Sequence, residues 1–215
     1  MAAYAMIITD PLIFSPLYNL NRSIEEGGTA AFKTFGVSTW DLFCGNPQAN
    51  KGFNDGMACL TRIDMDAIMS CYDFGSLEGT LVDVGGGVGV ALSEKQDIHI
   101  LKVLTLTSLM LFHMHQHMKE LHMLEVTCLQ TFPREIHSLS RNGKVIIVDI
   151  VLSQEGDDVF DEARISMDML MLTYFDGAKE RTEVDWKRIL EEAGFHRYNI
   201  IKIPVPVSIV EAYIE

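Results

Sequence analysis

The chain has 215 residues, 48% of them apolar and 22% charged, with a formal net charge of −13. That length holds one or two domains with a sizeable core. The acidity, with no Lys/Arg cluster, argues against a nucleic-acid or anionic-membrane partner. Cys44, Cys59, Cys71 and Cys128 show no C-x-x-C spacing and read as reduced thiols of a cytoplasmic protein.

Asp10, Pro11 and Pro16 interrupt the apolar start, which argues against a signal peptide. Residues 1–70 read as helices and turns. Gly27-Gly28 closes a helix over Leu20–Glu26, and Asn46-Pro47 marks another turn. Phe53, Met57, Leu60 and Asp64 then recur at helical spacing up to Met69. By spacing alone, Phe53 and Met57 fit core packing.

Leu81–Val84 is an apolar run broken only by Asp83, the pattern of a strand buried on both faces. Lys144–Leu152 (KVIIVDIVL) is a second such strand. The run Val103 to Phe112 is about half the length of a membrane-spanning helix. Asp161–Thr173 alternates acids with Met and Leu at helical period and is expected to pack on the sheet. Thr182 followed by Asp185 resembles a capping box. It opens a helix over Glu183–Ala193, with Gly194 at the C′ position. Asn199–Val205 and Ser208–Tyr213 are two further strands. The order predicts an α/β fold whose parallel sheet carries an antiparallel edge.

The strand Leu81–Val84 runs into Gly85-Gly86-Gly87-Val88-Gly89. A strand turning sharply beneath a nucleotide-like ligand needs glycine where φ is positive and where a Cβ would strike the ligand. A dinucleotide site favours G-x-G-x-x-G with an acid about 20 residues on. Here the spacing is G-x-G-x-G and Asp83 lies within the strand, which favours S-adenosylmethionine over a nicotinamide cofactor. A tight strand–helix turn without a ligand is the alternative.

Several stretches together resemble the plant small-molecule O-methyltransferases of the caffeic acid, flavonoid and acetylserotonin type. They are Pro16-Leu-Tyr-Asn-Leu20, Phe53-Asn-Asp-Gly-Met57, LVDVGGGVG at 81–89, GKVIIVDIVL at 143–152, Lys179-Glu-Arg-Thr182 and the closing run 185–213. The resemblance implies a Rossmann-like S-adenosylmethionine-dependent methyltransferase sheet over 71–215, incomplete and with an atypical segment at 94–140. It also implies a helical N-terminal remnant of the dimerisation region over 1–70. It further implies methylation of small phenolic hydroxyls, in a homodimer. Asp83, Gly85, Gly86 and Gly87 would then shape the cofactor site, and Phe53 and Met57 would line an aromatic substrate pocket. Glu180 and Glu211 would flank the catalytic histidine. Without the resemblance, both acids read as ordinary surface or strand-end carboxylates.

The L-H-D-W segment that holds the family's general-base histidine has no counterpart in this chain, nor has an acid ending a second strand. Residues 94–140 read as the family's own coding sequence in a shifted frame. Methionine has one codon, so Met114-His115 back-reads as Ala and Met118-Lys119 as Glu. Permitted codons elsewhere restore a G-D-M-F stretch. The frame returns near Arg141, after a deletion that removes the histidine segment. Sequencing the transcript tests this, and codons that cannot yield the family string would rule it out. Leu101–Thr107 alternates Leu/Val with Lys/Thr and can still pair as a strand. His113, His115, His117 and His122 could present two metal ligands on one helical face, but out-of-frame CA-rich codons produce the same histidines, and no metal site is assigned.

The sequence thus reads as an S-adenosylmethionine-dependent O-methyltransferase of small phenolic plant metabolites by family, with turnover expected to be impaired because the base segment is missing. The alternative is a catalytically dead remnant that at most dimerises with intact relatives.

Overall fold

The computed structural model describes residues 5–6, 9–77, 80–84, 102–106, 144–153, 156 and 158–213; for 80–84 and 102–106 it describes the backbone. The chain separates into two compact units. One comprises Met1–Leu60 with Asp157–Glu180, and the other Thr61–Gly156 with Arg181–Glu215.

The first unit is helical. Helix α1 (Pro11–Phe14) leads through a 3₁₀ turn (Ser15–Asn19) into α2 (Leu20–Glu26), α3 (Ala30–Phe35) and α4 (Thr39–Gly45). Gly27 and Gly28, at φ of 76° and 73°, stop α2 where the sequence places the break. Side chains of Thr29 and Ser38 cap α3 and α4 by accepting from the N–H of Phe32 and Asp41. Helix α5 (Pro47–Cys71) follows, belonging to this unit as far as Leu60 and to the second from Thr61, and α6 (Asp161–Tyr174) completes the first unit.

Packing of α6 differs from expectation. It lies in the helical unit, where it packs against α3. Its buried side chains are polar: Asp161, Arg164 and Thr173. Arg164 is held by Asp158 at 3.0 Å and Asp161 at 3.2 Å. Meanwhile Ile165, Met169 and Leu172 face outward. Paired, hydrogen-bonded polar groups can be buried, and here they reverse the face that an apolar pattern alone would select. Thr39 Oγ1 also donates to the Tyr174 carbonyl at 2.6 Å, tying α4 to the end of α6.

In the second unit, β1 (Thr80–Val84) and β2 (Lys102–Leu106) pair in parallel, Thr80 opposite Lys102 and Val84 opposite Leu106. The strand expected near Leu101–Thr107 therefore forms. A separate four-stranded sheet has the order β4-β3-β6-β5, with β3 (Lys144–Leu152), β4 (Arg181–Thr182), β5 (Arg197–Lys202) and β6 (Val207–Tyr213). Strands β3 and β4 are parallel, and β6 runs antiparallel to both β3 and β5. Strand β5 stops at Lys202 rather than Val205, because Pro204 and Pro206 supply no N–H to a ladder.

Side-chain alternation assigns the two faces of this sheet. Ile146, Ile201 and Ile209 meet Met65, Ile68, Tyr72 and Phe74. Val145, Ile147, Val151 and Val210 meet Leu190 of α7 (Glu183–Glu192) and Phe195. Strand β6 is the most buried, with Ser208 through Ala212 all enclosed. Strand β3 is not buried on both faces as its sequence suggests. Ile150 alone is fully buried and Val148 is exposed. Among the described residues, its neighbour on one side is the two-residue β4.

Thr182 and Asp185 form the expected capping box, each side chain bonded to the other's backbone N–H at 3.2 Å. Thr182→Ala is expected to destabilise the fold by about 1 kcal/mol, measured as a lower urea midpoint at unchanged slope. Gly194, at φ 89°, supplies the left-handed residue after the helix. Cys44 and Cys71 are exposed and Cys59 is buried, while Cys128 lies outside the described residues. Among the described residues, no helix is long and apolar enough to cross a membrane.

Candidate active site

Open α/β sheets bind ligands at the carboxyl ends of their parallel strands. Strand β1 ends at Val84, directly before the glycine run, and Asp83 sits opposite Thr105 of β2. Gly85, Gly86 and Gly87 themselves lie outside the described residues. So do His113, His115, His117 and His122, and the segment 107–140.

Phe53 and Met57 lie one turn apart on α5. The Phe53 ring is tilted against Phe43 at a centroid distance of 4.9 Å. Phe43 in turn meets Trp40, which lies 5.2 Å from Phe175. Met57 is 41% exposed and so is not a core residue. Together these rings form an aromatic cluster within the helical unit.

The two candidate acids have different surroundings. Glu180 is buried immediately before β4, and its backbone N–H donates to Asp168 Oδ1 at 2.7 Å. Glu211 lies on buried β6 opposite Ile146. That is six residues, or about 20 Å of strand, from the carboxyl end of β3. Its Oε1 accepts from the Tyr72 hydroxyl at 2.6 Å and from Lys144 Nζ at 3.0 Å. Its Oε2 accepts from the Tyr213 hydroxyl at 3.0 Å. Burial pushes this carboxyl up, but the bonds from Tyr72, Lys144 and Tyr213 outweigh it and the net direction is down. The same burial, with the neighbouring carboxylate, drives the Tyr72 phenol strongly upward.

Sequence reasoning missed a third acid, Asp149. It lies in the carboxyl half of β3, opposite Ser208. Its Oδ1 accepts from the Ile150 N–H at 2.7 Å. Burial pushes its carboxyl above the usual carboxylate range, opposed by that bond and by the positive charge of Arg181. Raised, desolvated carboxyls are characteristic of functional sites. The signal was legible: Asp149 interrupts an apolar strand just as Asp83 does.

The fold is shared with solved O-methyltransferases. Mitomycin 7-O-methyltransferase MmcR superposes with a TM-score of 0.75 at 19% identity, over 100% of this chain and 71% of that one. The O-methyltransferase NcsB1 of neocarzinostatin biosynthesis, solved with S-adenosylmethionine and a hydroxynaphthoic acid, gives 0.71 at 23% identity, covering 100% and 74%. The architecture is that of a Rossmann-like methyltransferase with a partial sheet.

Sequence likeness carries the assignment further. The O-methyltransferase domain profile matches residues 17–116 and 110–196. Xanthohumol 4-O-methyltransferase of Humulus lupulus is 36% identical over 242 aligned positions, covering 99% of this chain and 67% of that protein. (R,S)-reticuline 7-O-methyltransferase of Papaver somniferum is 32% identical over 241 positions, covering 96% and 66%. The chain belongs to the O-methyltransferase domain family, among its plant small-molecule members. It spans about two thirds of the length of these relatives.

Proposed function

We propose that this chain transfers a methyl group from S-adenosylmethionine to a hydroxyl of a small phenolic plant metabolite. The observation that carries the reading is the 36% identity along 99% of the chain to a plant enzyme named for methylating a phenol. The parallel pair β1–β2, with the carboxyl end of β1 opening into four glycines, suits a Rossmann-type ligand site. Asp83, Gly85, Gly86 and Gly87 would hold the methyl donor there, and Phe53 and Met57 would face the aromatic acceptor. Glu180 is retained as a site acid. Glu211, with both oxygens occupied by donors, is given a role in the fold.

Residues 1–70 would serve as the dimerisation and substrate region and 71–215 as the methyltransferase domain. The exposure of Phe14, Tyr18, Ile24 and Phe32 supports a homodimer. The charge and the absence of C-x-x-C spacing in the sequence support a cytoplasmic location.

Two observations favour the second reading, a family member without turnover. The profile match is split, with its two parts overlapping at 110–116. The alignment with the Humulus enzyme runs to 242 positions against a chain of 215, so at least 27 positions have no residue of this chain. Both facts fit an internal deletion.

Calorimetric titration with S-adenosylmethionine, with melting curves alongside, tests the cofactor assignment. Saturable binding is expected, with a melting temperature that rises with ligand concentration. A cooperative melt that the ligand leaves unmoved would contradict it.

A further inference from the structure

We propose that Asp176-Gly177 is a self-modification site, where the main chain rearranges to an isoaspartyl linkage through a cyclic imide. The sequence has two Asp-Gly pairs, Asp55-Gly56 and Asp176-Gly177. A glycine after an aspartate leaves its main-chain nitrogen unshielded, because no Cβ stands beside it. The fold gives that nitrogen opposite surroundings in the two pairs.

Asp55-Gly56 lies inside α5. Helical geometry commits each interior N–H to the carbonyl four residues back, and Gly56 is buried. The Asp55 carboxylate is engaged as well, by Lys51 one turn earlier. Asp176 and Gly177 instead form the two central positions of the turn after α6. The Ala178 N–H closes that turn by donating to the Phe175 carbonyl at 3.2 Å. Both central residues are exposed. Gly177 has φ 67°, the left-handed conformation that such a turn asks of its glycine. Among the described residues, neither the Gly177 N–H nor the Asp176 carboxyl has a hydrogen-bond or ion-pair partner. No atom beyond the adjacent residues lies within 4 Å of the place a Gly177 Cβ would take, so the nitrogen is open to its neighbour's carboxyl.

The step balances. The Gly177 nitrogen bonds to Asp176 Cγ, the Cγ–O bond of the acid form breaks, and the hydroxyl leaves with the amide proton as water. The imide then takes up one water. Addition at Cγ restores aspartate, whereas addition at the main-chain carbonyl carbon routes the backbone through Cγ. Water is the one co-reactant, and nothing is oxidised or reduced. The product carries an extra methylene in the main chain, between α6 and the buried Glu180, whose N–H is fixed to Asp168 Oδ1 at 2.7 Å. The rearrangement therefore lengthens the link that places this acid.

The test ages the purified full chain in warm neutral buffer. It is then digested with a protease that cuts before aspartate and not before isoaspartate, and the peptides are separated and weighed. Progressive loss of cleavage before Asp176 at unchanged mass is expected, with a transient form lighter by one water and with cleavage before Asp55 retained. Asp176→Glu, whose imide ring closes more slowly, and Gly177→Ala, whose methyl shields the nitrogen, should both suppress the water-loss form and the new isomer. Undiminished cleavage before Asp176, in conditions where a free peptide of residues 174–179 loses it, would overturn the proposal. Equal loss at Asp55 and Asp176 would also overturn it, since an unfolded chain reacts at both. A Gly177→Ala chain that rearranges at the wild-type rate would do the same.

Discussion

Glu211→Ala is expected to cost about 3–5 kcal/mol of folding stability, the range for removing one partner of a buried ion pair. Glu211 is 7% exposed and joins three segments through Tyr72, Lys144 and Tyr213. Lys144 also lies 5.2 Å from the Tyr72 ring, and Arg197 lies 4.1 Å from the Tyr213 ring. Alanine would leave two hydroxyls and an ammonium without their acceptor. A domain with about 5–15 kcal/mol in total would lose a large share. Urea titration at neutral pH measures it. The pH dependence has a definite sign. The folded carboxyl is depressed, so its contribution is complete above an unfolded value of about 4.3 and is lost as pH falls through the lower folded value. Glu211→Gln should therefore flatten the stability curve below about pH 4.3, and a variant as acid-sensitive as wild type would remove this role.

Trp186→Ala is expected to cost about 3–5 kcal/mol by cavity formation. Trp186 is fully buried on α7, with the Arg181 guanidinium 5.3 Å from its ring. Its Nε1–H has no hydrogen-bond partner among the described residues. A buried donor without an acceptor is itself destabilising. Trp186→Phe removes that donor while keeping an aromatic ring, so its cost should fall below about 1.5 kcal/mol. Urea midpoints of the two variants separate ring volume from the orphaned donor. Equal losses would show that the indole N–H is satisfied in solution.

Local signals in the sequence were legible where they concern backbone chemistry. Lys144–Leu152 forms a strand over the expected residues, Thr182 and Asp185 cap α7, and Gly27-Gly28 ends α2. These features depend on neighbours within a few residues. What the sequence hid depends on distant partners. The polar face of α6 is buried because Asp158 and Asp161 neutralise Arg164, which an apolar moment cannot register. Glu211 looks like a strand-end carboxylate until Tyr72 and Lys144 are brought to it across 139 and 67 positions. Asp149 is visible in the sequence as a break in an aliphatic run, but its raised carboxyl follows from burial in the folded sheet. Aromatic contacts around Phe53 likewise depend on Phe43 and Trp40, which the α5 pattern does not mention.

The most direct measurement is transfer of label from methyl-labelled S-adenosylmethionine to a panel of small phenols by the purified full chain. An O-methylated product, absent when the protein is omitted, is the expected result. Donor binding without any labelled phenol across that panel would contradict the assignment of catalysis to this chain and leave the family fold alone.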